Sequence, residues 1–242
     1  MADIKAQISA SQNVLMQDFD IIAHNLANAS TPGFKRRTSA FATALQAQRE
    51  KQGTAAQNAL MEKASDFTQG GMTQTARPLD FAIDGKGFFG IETPDGPRYT
   101  RNGTFHTNEN GQLVDSQGRM VAGQNGPIVI PPTVDATALH VSGEGGISAN
   151  GLQLGQLQIT DFGEDQGKLI PIGSSIFMAP PEVTGSTAEN VVVKQGYQES
   201  SNVKIVHELV RMMTVSRLYD ANMRFVTSKK DATRSIMNVA MG

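Results

Sequence analysis

The side chains able to do chemistry are few and do not converge. The only histidines are His24, His106, His140 and His207. None stands at the His-x-x-x-His spacing that would put two imidazoles on one helix face for a metal. Asp80 and Asp84 have an even spacing that aims both carboxylates at one face of a strand, where a pair could exchange a proton. In a turn-rich β region a solvated face is the plainer reading. Gly85-Lys86-Gly87 follows a strand pattern but lacks the spacing of a phosphate-binding loop, so it reads as a turn or bulge. Ser200-Ser201 precedes a helix without a nucleophile-elbow pattern. The chain has no Cys, which removes disulfides, Cys-ligated zinc and a thiol nucleophile. Lys35-Arg36-Arg37 suits either acidic neighbours such as cell-wall polymer or a solvated helix exit. We therefore expect no enzyme, no cofactor and no metal site.

The elements that would position these residues fall into three textures. Residues 4 to 29 contain no Gly or Pro. Their apolar positions, Ile4, Ile8, Leu15, Phe19, Ile22 and Leu26, form a helical stripe that ends at Ser30-Thr31-Pro32-Gly33. From Val203 to Ala240 Gly and Pro are again absent. A 4-3 stripe runs there through Ile205, Leu209, Met212, Tyr219, Met223, Val226 and Met237. Ser200, Ser201 and Asn202 offer caps for this second helix. Between the two lie short apolar or alternating runs such as Phe88 to Glu92, separated by turns at Pro94-Asp95-Gly96-Pro97, Asn108-Glu109-Asn110-Gly111 and Ser116-Gln117-Gly118.

The expected fold class is α+β: long N- and C-terminal helices pairing as an antiparallel coiled coil, with a central all-β domain like a sandwich or barrel. The divisions are 1–34 for the first helix, 35–77 for a linker or extended arm, and 78–182 for the β domain. Residues 183–202 return the chain, and 203–242 form the last helix. The Gln- and Ala-rich stretch 46–60 reads as a lightly ordered linker.

Composition limits the partners. A net charge of −2 and a pI near 6.1 give no general attraction to nucleic acid or an anionic membrane. Residues 203–242 nevertheless hold seven Lys and Arg against three acids. No run approaches the roughly 18 apolar residues of a membrane span. The first residues lack the basic and apolar regions of a cleaved signal peptide, which by itself suggests cytoplasm. Six large apolar residues on the first helix hold roughly 10–20 kcal/mol of burial, at about 1.5–3 kcal/mol each. One partner helix covers part of that stripe, so packing against neighbouring chains, repeated by a screw operation, is the natural completion. A hairpin within one chain, capping the β domain, is the alternative.

Three stretches, in order, carry a resemblance. Asn25-Leu26-Ala27-Asn28-Ala29-Ser30-Thr31-Pro32-Gly33-Phe34-Lys35-Arg36 resembles the N-terminal signature of bacterial flagellar rod and hook proteins. Arg77-Pro78-Leu79-Asp80, Gly85-Lys86-Gly87-Phe88-Phe89, Tyr99-Thr100-Arg101-Asn102-Gly103 and Gly126-Pro127-Ile128 are similar to their β domain. Gln195-Gly196-Tyr197-Gln198-Glu199-Ser200-Ser201-Asn202-Val203 with Glu208-Leu209-Val210 resembles their C-terminal signature. The resemblance implies a structural subunit of the flagellar basal-body rod in the periplasm. It implies export through the flagellar type III apparatus without a cleaved signal peptide, and no catalytic residues.

The implied partners are copies of the chain, other proximal and distal rod proteins, the export apparatus, and peptidoglycan nearby. Within the family the wording is most like the proximal rod protein, with the distal rod protein next and a hook subunit further off. Residues expected at subunit packing are Ile8, Leu15, Phe19, Ile22, Asn25, Leu26, Asn28, Gly33 and Phe34. On the C-terminal side they are Asn202, Val203, Leu209, Met212, Tyr219, Met223 and Val226. Ile8, Leu15, Ile22 and Leu26 are expected to pack on Leu209, Met212, Tyr219 and Met223. A reading from another class is a secreted β-domain binding or adhesin module on a helical stalk.

Overall fold

The computed structural model describes residues 2–39, 63–189 and 191–241, with side chains described for 11–38, 64–135, 137–189 and 191–229. The stretch 46–60 lies outside the described residues. The chain divides into two units. One consists of residues 1–27 and 204–242, the other of residues 28–203.

The second unit is built of short strands joined by tight turns. In chain order these are β1 (Arg37–Ser39), β2 (Lys63–Ser65), β3 (Met72–Gln74), β4 (Phe81–Asp84), β5 (Phe88–Glu92) and β6 (Arg98–Thr100). β7 (His106–Thr107), β8 (Leu113–Val114), β9 (Met120–Val121), β10 (Leu139–Val141), β11 (Gly146–Ala149) and β12 (Leu152–Gln156) follow. β13 (Ile159–Asp161), β14 (Ile170–Pro171), β15 (Ile176–Met178), β16 (Ser186–Thr187), β17 (Val192–Gln195) and β18 (Tyr197–Glu199) complete the set.

Among the described residues the strands form five antiparallel sheets. The largest runs β14-β15-β6-β5-β9-β8-β7, with β13 paired to β5 and β16 to β13. A second holds β10-β11-β12, and the pairs β1-β2, β17-β4 and β18-β3 complete the list. Turns form where polar side chains bond the backbone ahead. Asp115 Oδ1 accepts from the N–H groups of Gln117 and Arg119, and Asn108 Oδ1 from those of Asn110 and Gln112.

Two apolar clusters fill this unit. Phe81, Ile83, Phe89, Ile91, Phe105 and their neighbours form the larger, and Phe88, Phe162, Leu169, Phe177 and Val183 the smaller. Adjacent residues Phe88 and Phe89 serve different clusters because side chains alternate along a strand. β5 is thus buried on both faces, and for that reason it reads as a continuous apolar run rather than an alternating one.

The first unit holds helices α1 (Ala2–Ala27) and α2 (Ile205–Met241). Neither is long and apolar enough to cross a membrane. The expected fold class is corrected here. The described chain is dominated by strands spread over several sheets, not one sandwich or barrel flanked by a coiled coil. The apolar stripe meant to form a coiled-coil seam is divided: Ile205, Leu209 and Met223 on α2 and Phe19 on α1 are exposed, whereas Ile22 is buried and Leu15, Leu26, Met212, Tyr219 and Val226 are half-buried. Polar groups also stand between the helices. Asn25 Nδ2 donates to Glu208 Oε2 at 3.4 Å, with both residues fully buried. Arg211 reaches Asp18 at 3.5 Å, and Asn222 Nδ2 donates to Ser11 Oγ at 3.3 Å. A heptad rule places apolar residues at such positions, whereas Glu208 and Asn222 occupy them in this chain.

Candidate functional site

The chain enters and leaves the β unit through the residues that carry the terminal signatures, and these are clasped together. Gly33 has φ +67°, and a Cβ there would lie 2.2 Å from the Asn102 backbone nitrogen. Only glycine allows this close, left-handed passage. It brings the Gly33 N–H to the Glu199 carbonyl at 2.7 Å. Phe34 and Lys35, which follow, are both buried.

Lys35 Nζ donates to Glu199 Oε1 at 2.6 Å and to the Thr68 carbonyl at 2.8 Å. The same carboxylate oxygen accepts from the Gly70 N–H at 2.9 Å. The other, Oε2, faces Arg101 Nη1 at 3.4 Å. Arg101 Nη2 donates to the Gly85 carbonyl at 2.8 Å, and the guanidinium lies over the Phe88 ring, 5.2 Å from its centroid. Burial pushes the Lys35 amine below its ordinary pKa, against the opposing pull of Glu199. Burial lowers Arg101 in the same way. One carboxylate thus holds two buried cations, an arrangement whose attraction and desolvation nearly offset, so its value lies in fixing geometry.

Asn202 makes a second fastening beside the first. Its Oδ1 accepts from the Arg36 N–H at 2.7 Å, and its Nδ2 donates to the carbonyls of Asp66 at 2.7 Å and Thr68 at 3.0 Å. Arg37 Nη2 donates to the Gly173 carbonyl at 2.8 Å. The basic run 35–37 is therefore tied into the fold at Lys35 and Arg37 rather than offered to acidic neighbours.

The sequence-derived packing residues divide between the two units. Gly33, Phe34, Asn202 and Val203 belong to the β unit, as does half-buried Asn28, whose Oδ1 accepts from the Thr31 hydroxyl at 3.2 Å. In the helical unit Ile22 and Asn25 are buried, Leu15 and Leu26 half-buried and Phe19 exposed. On α2, Met212, Tyr219 and Val226 are half-buried, and Leu209 and Met223 exposed. The Met223 sulfur accepts from Gln12 Nε2 at 3.0 Å. Ile8 and Met237 lie in the helices with their side chains outside the described residues.

Sequence reasoning missed Glu199, Arg101 and the burial of Lys35. The signal was present, since all three lie inside the signature stretches. His106, His140 and His207 are exposed on separate elements, and His24 is half-buried on α1. Among the described residues no group of three or more His, Cys, Asp or Glu is placed to hold a metal.

A β-rich unit closed by a charged clasp, joined to helices with uncovered apolar side chains, has the build of a structural subunit. Family models agree along the chain. Residues 9–35 match the flagella basal body rod protein model, and 82–149 match the flagellar hook protein FlgE/F/G D1 domain. Residues 194–239 match the flagellar basal body rod FlgEFG protein C-terminal model. The chain is 32% identical over 240 residues to the flagellar basal-body rod protein FlgG of Agrobacterium fabrum, covering 87% of this chain and 89% of that one. It is 31% identical over 229 residues to the rod protein FlgF of Caulobacter vibrioides, covering 93% and 92%. FlgG of Borreliella burgdorferi is 31% identical over 255 residues, covering 92% and 94%. The chain belongs to the flagellar basal-body rod protein family.

Proposed function

We propose that this chain, a structural subunit of the flagellar basal-body rod, assembles through the uncovered faces of its terminal helices, in the proximal segment of the rod. The observation that carries this reading is the exposure of Val206, Val210, Met213 and Phe225 on α2, at 76%, 52%, 54% and 53%. Side chains of this size gain roughly 1.5–3 kcal/mol each when fully buried, so the exposed set is a strong drive toward neighbouring subunits. The packing residues read from sequence, Leu209 and Met223 among them, lie on the same helix and join that contact. The wording of its Thr31-Pro32-Gly33-Phe34 and Arg77-Pro78-Leu79-Asp80 motifs supports the proximal position. The proposed route to the periplasm is the flagellar export apparatus, and the proposed surroundings include peptidoglycan. Both rest on the signature resemblance.

The test is Leu209→Asp, followed by electron microscopy of isolated basal bodies and denaturant unfolding of the purified variant. Rods should be missing while the β unit unfolds as before. Normal rods from the variant would overturn assembly through the helices.

A further inference from the structure

The chain holds four Asn-Gly pairs, beginning at Asn102, Asn110, Asn125 and Asn150. Glycine in the second position leaves its backbone nitrogen free of a Cβ that would hinder approach to the Asn carboxamide carbon. The structure separates the four pairs by what surrounds that nitrogen. Asn102 Oδ1 accepts from the Thr104 N–H at 3.0 Å, and a Cβ at Gly103 would lie 1.8 Å from the Phe81 carbonyl oxygen. The Gly111 N–H donates to the Asn108 carbonyl at 2.9 Å. The Gly126 N–H reaches the Gly123 carbonyl at 3.3 Å.

Asn150 and Gly151 differ. They are the two-residue connection between β11 and β12, with Ala149 paired to Leu152. Their φ values of +50° and +80° are those of the tight hairpin turn that Asn-Gly favours. Both residues are exposed, and a Cβ at Gly151 would meet nothing within 4 Å. Among the described residues no backbone carbonyl accepts the Gly151 N–H.

We propose that Asn150-Gly151 is the chain's fastest site of spontaneous deamidation, a covalent change that water and hydroxide complete without an enzyme. Hydroxide removes the Gly151 amide proton, and the nitrogen attacks Asn150 Cγ. The new C–N bond closes a cyclic imide as the bond from Cγ to Nδ2 breaks, and the departing nitrogen takes a proton from water, which returns the hydroxide, and leaves as ammonia. Water then opens the imide. Cleavage between Cγ and the Gly151 nitrogen yields aspartate. Cleavage between the Asn150 carbonyl carbon and that nitrogen yields isoaspartate, with the chain rerouted through the former side chain. Nothing is oxidised or reduced. Either product adds a negative charge. Isoaspartate also inserts a methylene into a turn whose length sets the Ala149–Leu152 register, which loosens the end of that sheet.

The test incubates the full chain at mildly alkaline pH and maps its peptides by mass spectrometry, resolving asparagine, aspartate and isoaspartate at each of the four positions. Asn150 should convert first, on the order of tenfold faster than Asn102, whose reaction must wait for local opening of the fold. In Asn150→Gln, methyl labelling by an isoaspartyl methyltransferase should fall to the background of the other positions. Conversion at Asn110 or Asn125 as fast as at Asn150, or an unchanged Asn150, would overturn the proposal.

Discussion

Lys35 Nζ and Glu199 Oε1 stand 2.6 Å apart with both side chains wholly shielded from solvent, although 164 positions separate them in the chain. The contact joins the entry of the β unit to its exit. Glu199→Gln keeps the shape but leaves Lys35 and Arg101 buried without an anion. Breaking a buried pair in this way costs roughly 3–5 kcal/mol. Urea unfolding of the purified protein should show a lower midpoint, and adding Lys35→Met to the same chain should recover part of the loss. An unchanged midpoint in the single variant would remove the clasp from the account of stability.

Asn202→Ala deletes one accepted and two donated hydrogen bonds. The groups left behind are part-buried at Arg36 and Asp66 and exposed at Thr68, so water replaces part of the loss and the cost is about 0.5–1.5 kcal/mol. Amide exchange at Arg36 should accelerate more than exchange at Phe89 in the core. Equal rates before and after the change would mean that Asn202 does not hold residue 36.

Gly33→Ala forces a side chain into a left-handed backbone, for about 1–2 kcal/mol, and into collision with Asn102. The collision adds to that figure, since the obstacle is backbone rather than a movable side chain. Thermal unfolding should fall sharply, and more than for alanine at Gly118, where an added Cβ meets nothing within 4 Å. Both positions have positive φ, so the comparison isolates the collision.

Asp84 gives the acid side of the stability profile. Its bond to Lys194 Nζ, 2.6 Å long, holds the carboxyl below its ordinary pKa of 3.8. A depressed carboxylate contributes stability that is full above the unfolded value and lost as pH falls through the folded one. Both side chains are nearly half exposed, so the contribution is small, about 0.2–1 kcal/mol. Lys194→Met should therefore be less stable than the parent at neutral pH and converge with it below pH 3.8. A gap that persists in strong acid would trace to packing of the Lys194 stem instead.

The positions of the helices were legible because Gly and Pro vanish from two long stretches. Their inward faces were legible only in part. Hydrophobicity selects exposed Ile205, Leu209 and Met223 together with half-buried Met212, Tyr219 and Val226, whereas the buried line on α2 passes through Glu208 and Val215. A buried Glu208 is intelligible only beside Asn25, 183 positions away, and no local pattern announces such a partner. The clasp was hidden differently: its three charged residues lie inside the signature stretches, but nothing in those stretches says that they meet. Lys35 in a basic run reads as surface, and Glu199 reads as one acid in a polar linker. Strand β5 was easier, since Phe88-Phe89-Gly90-Ile91 is apolar throughout and any placement must bury it. Its membership of a broad multi-strand sheet depends on pairings with β6, β9 and β13 that sequence spacing does not encode.

The hydrogen bond from the Gly33 N–H to the Glu199 carbonyl has a consequence for how such chains diversify. Everything from residue 34 to 198 begins and ends at one doorway, 2.7 Å across. Loops inside it can lengthen, shrink or be exchanged without changing the gap between the incoming and outgoing strands. The β unit is a cassette with a fixed fitting, so its loops can change in bulk without moving its own entry and exit.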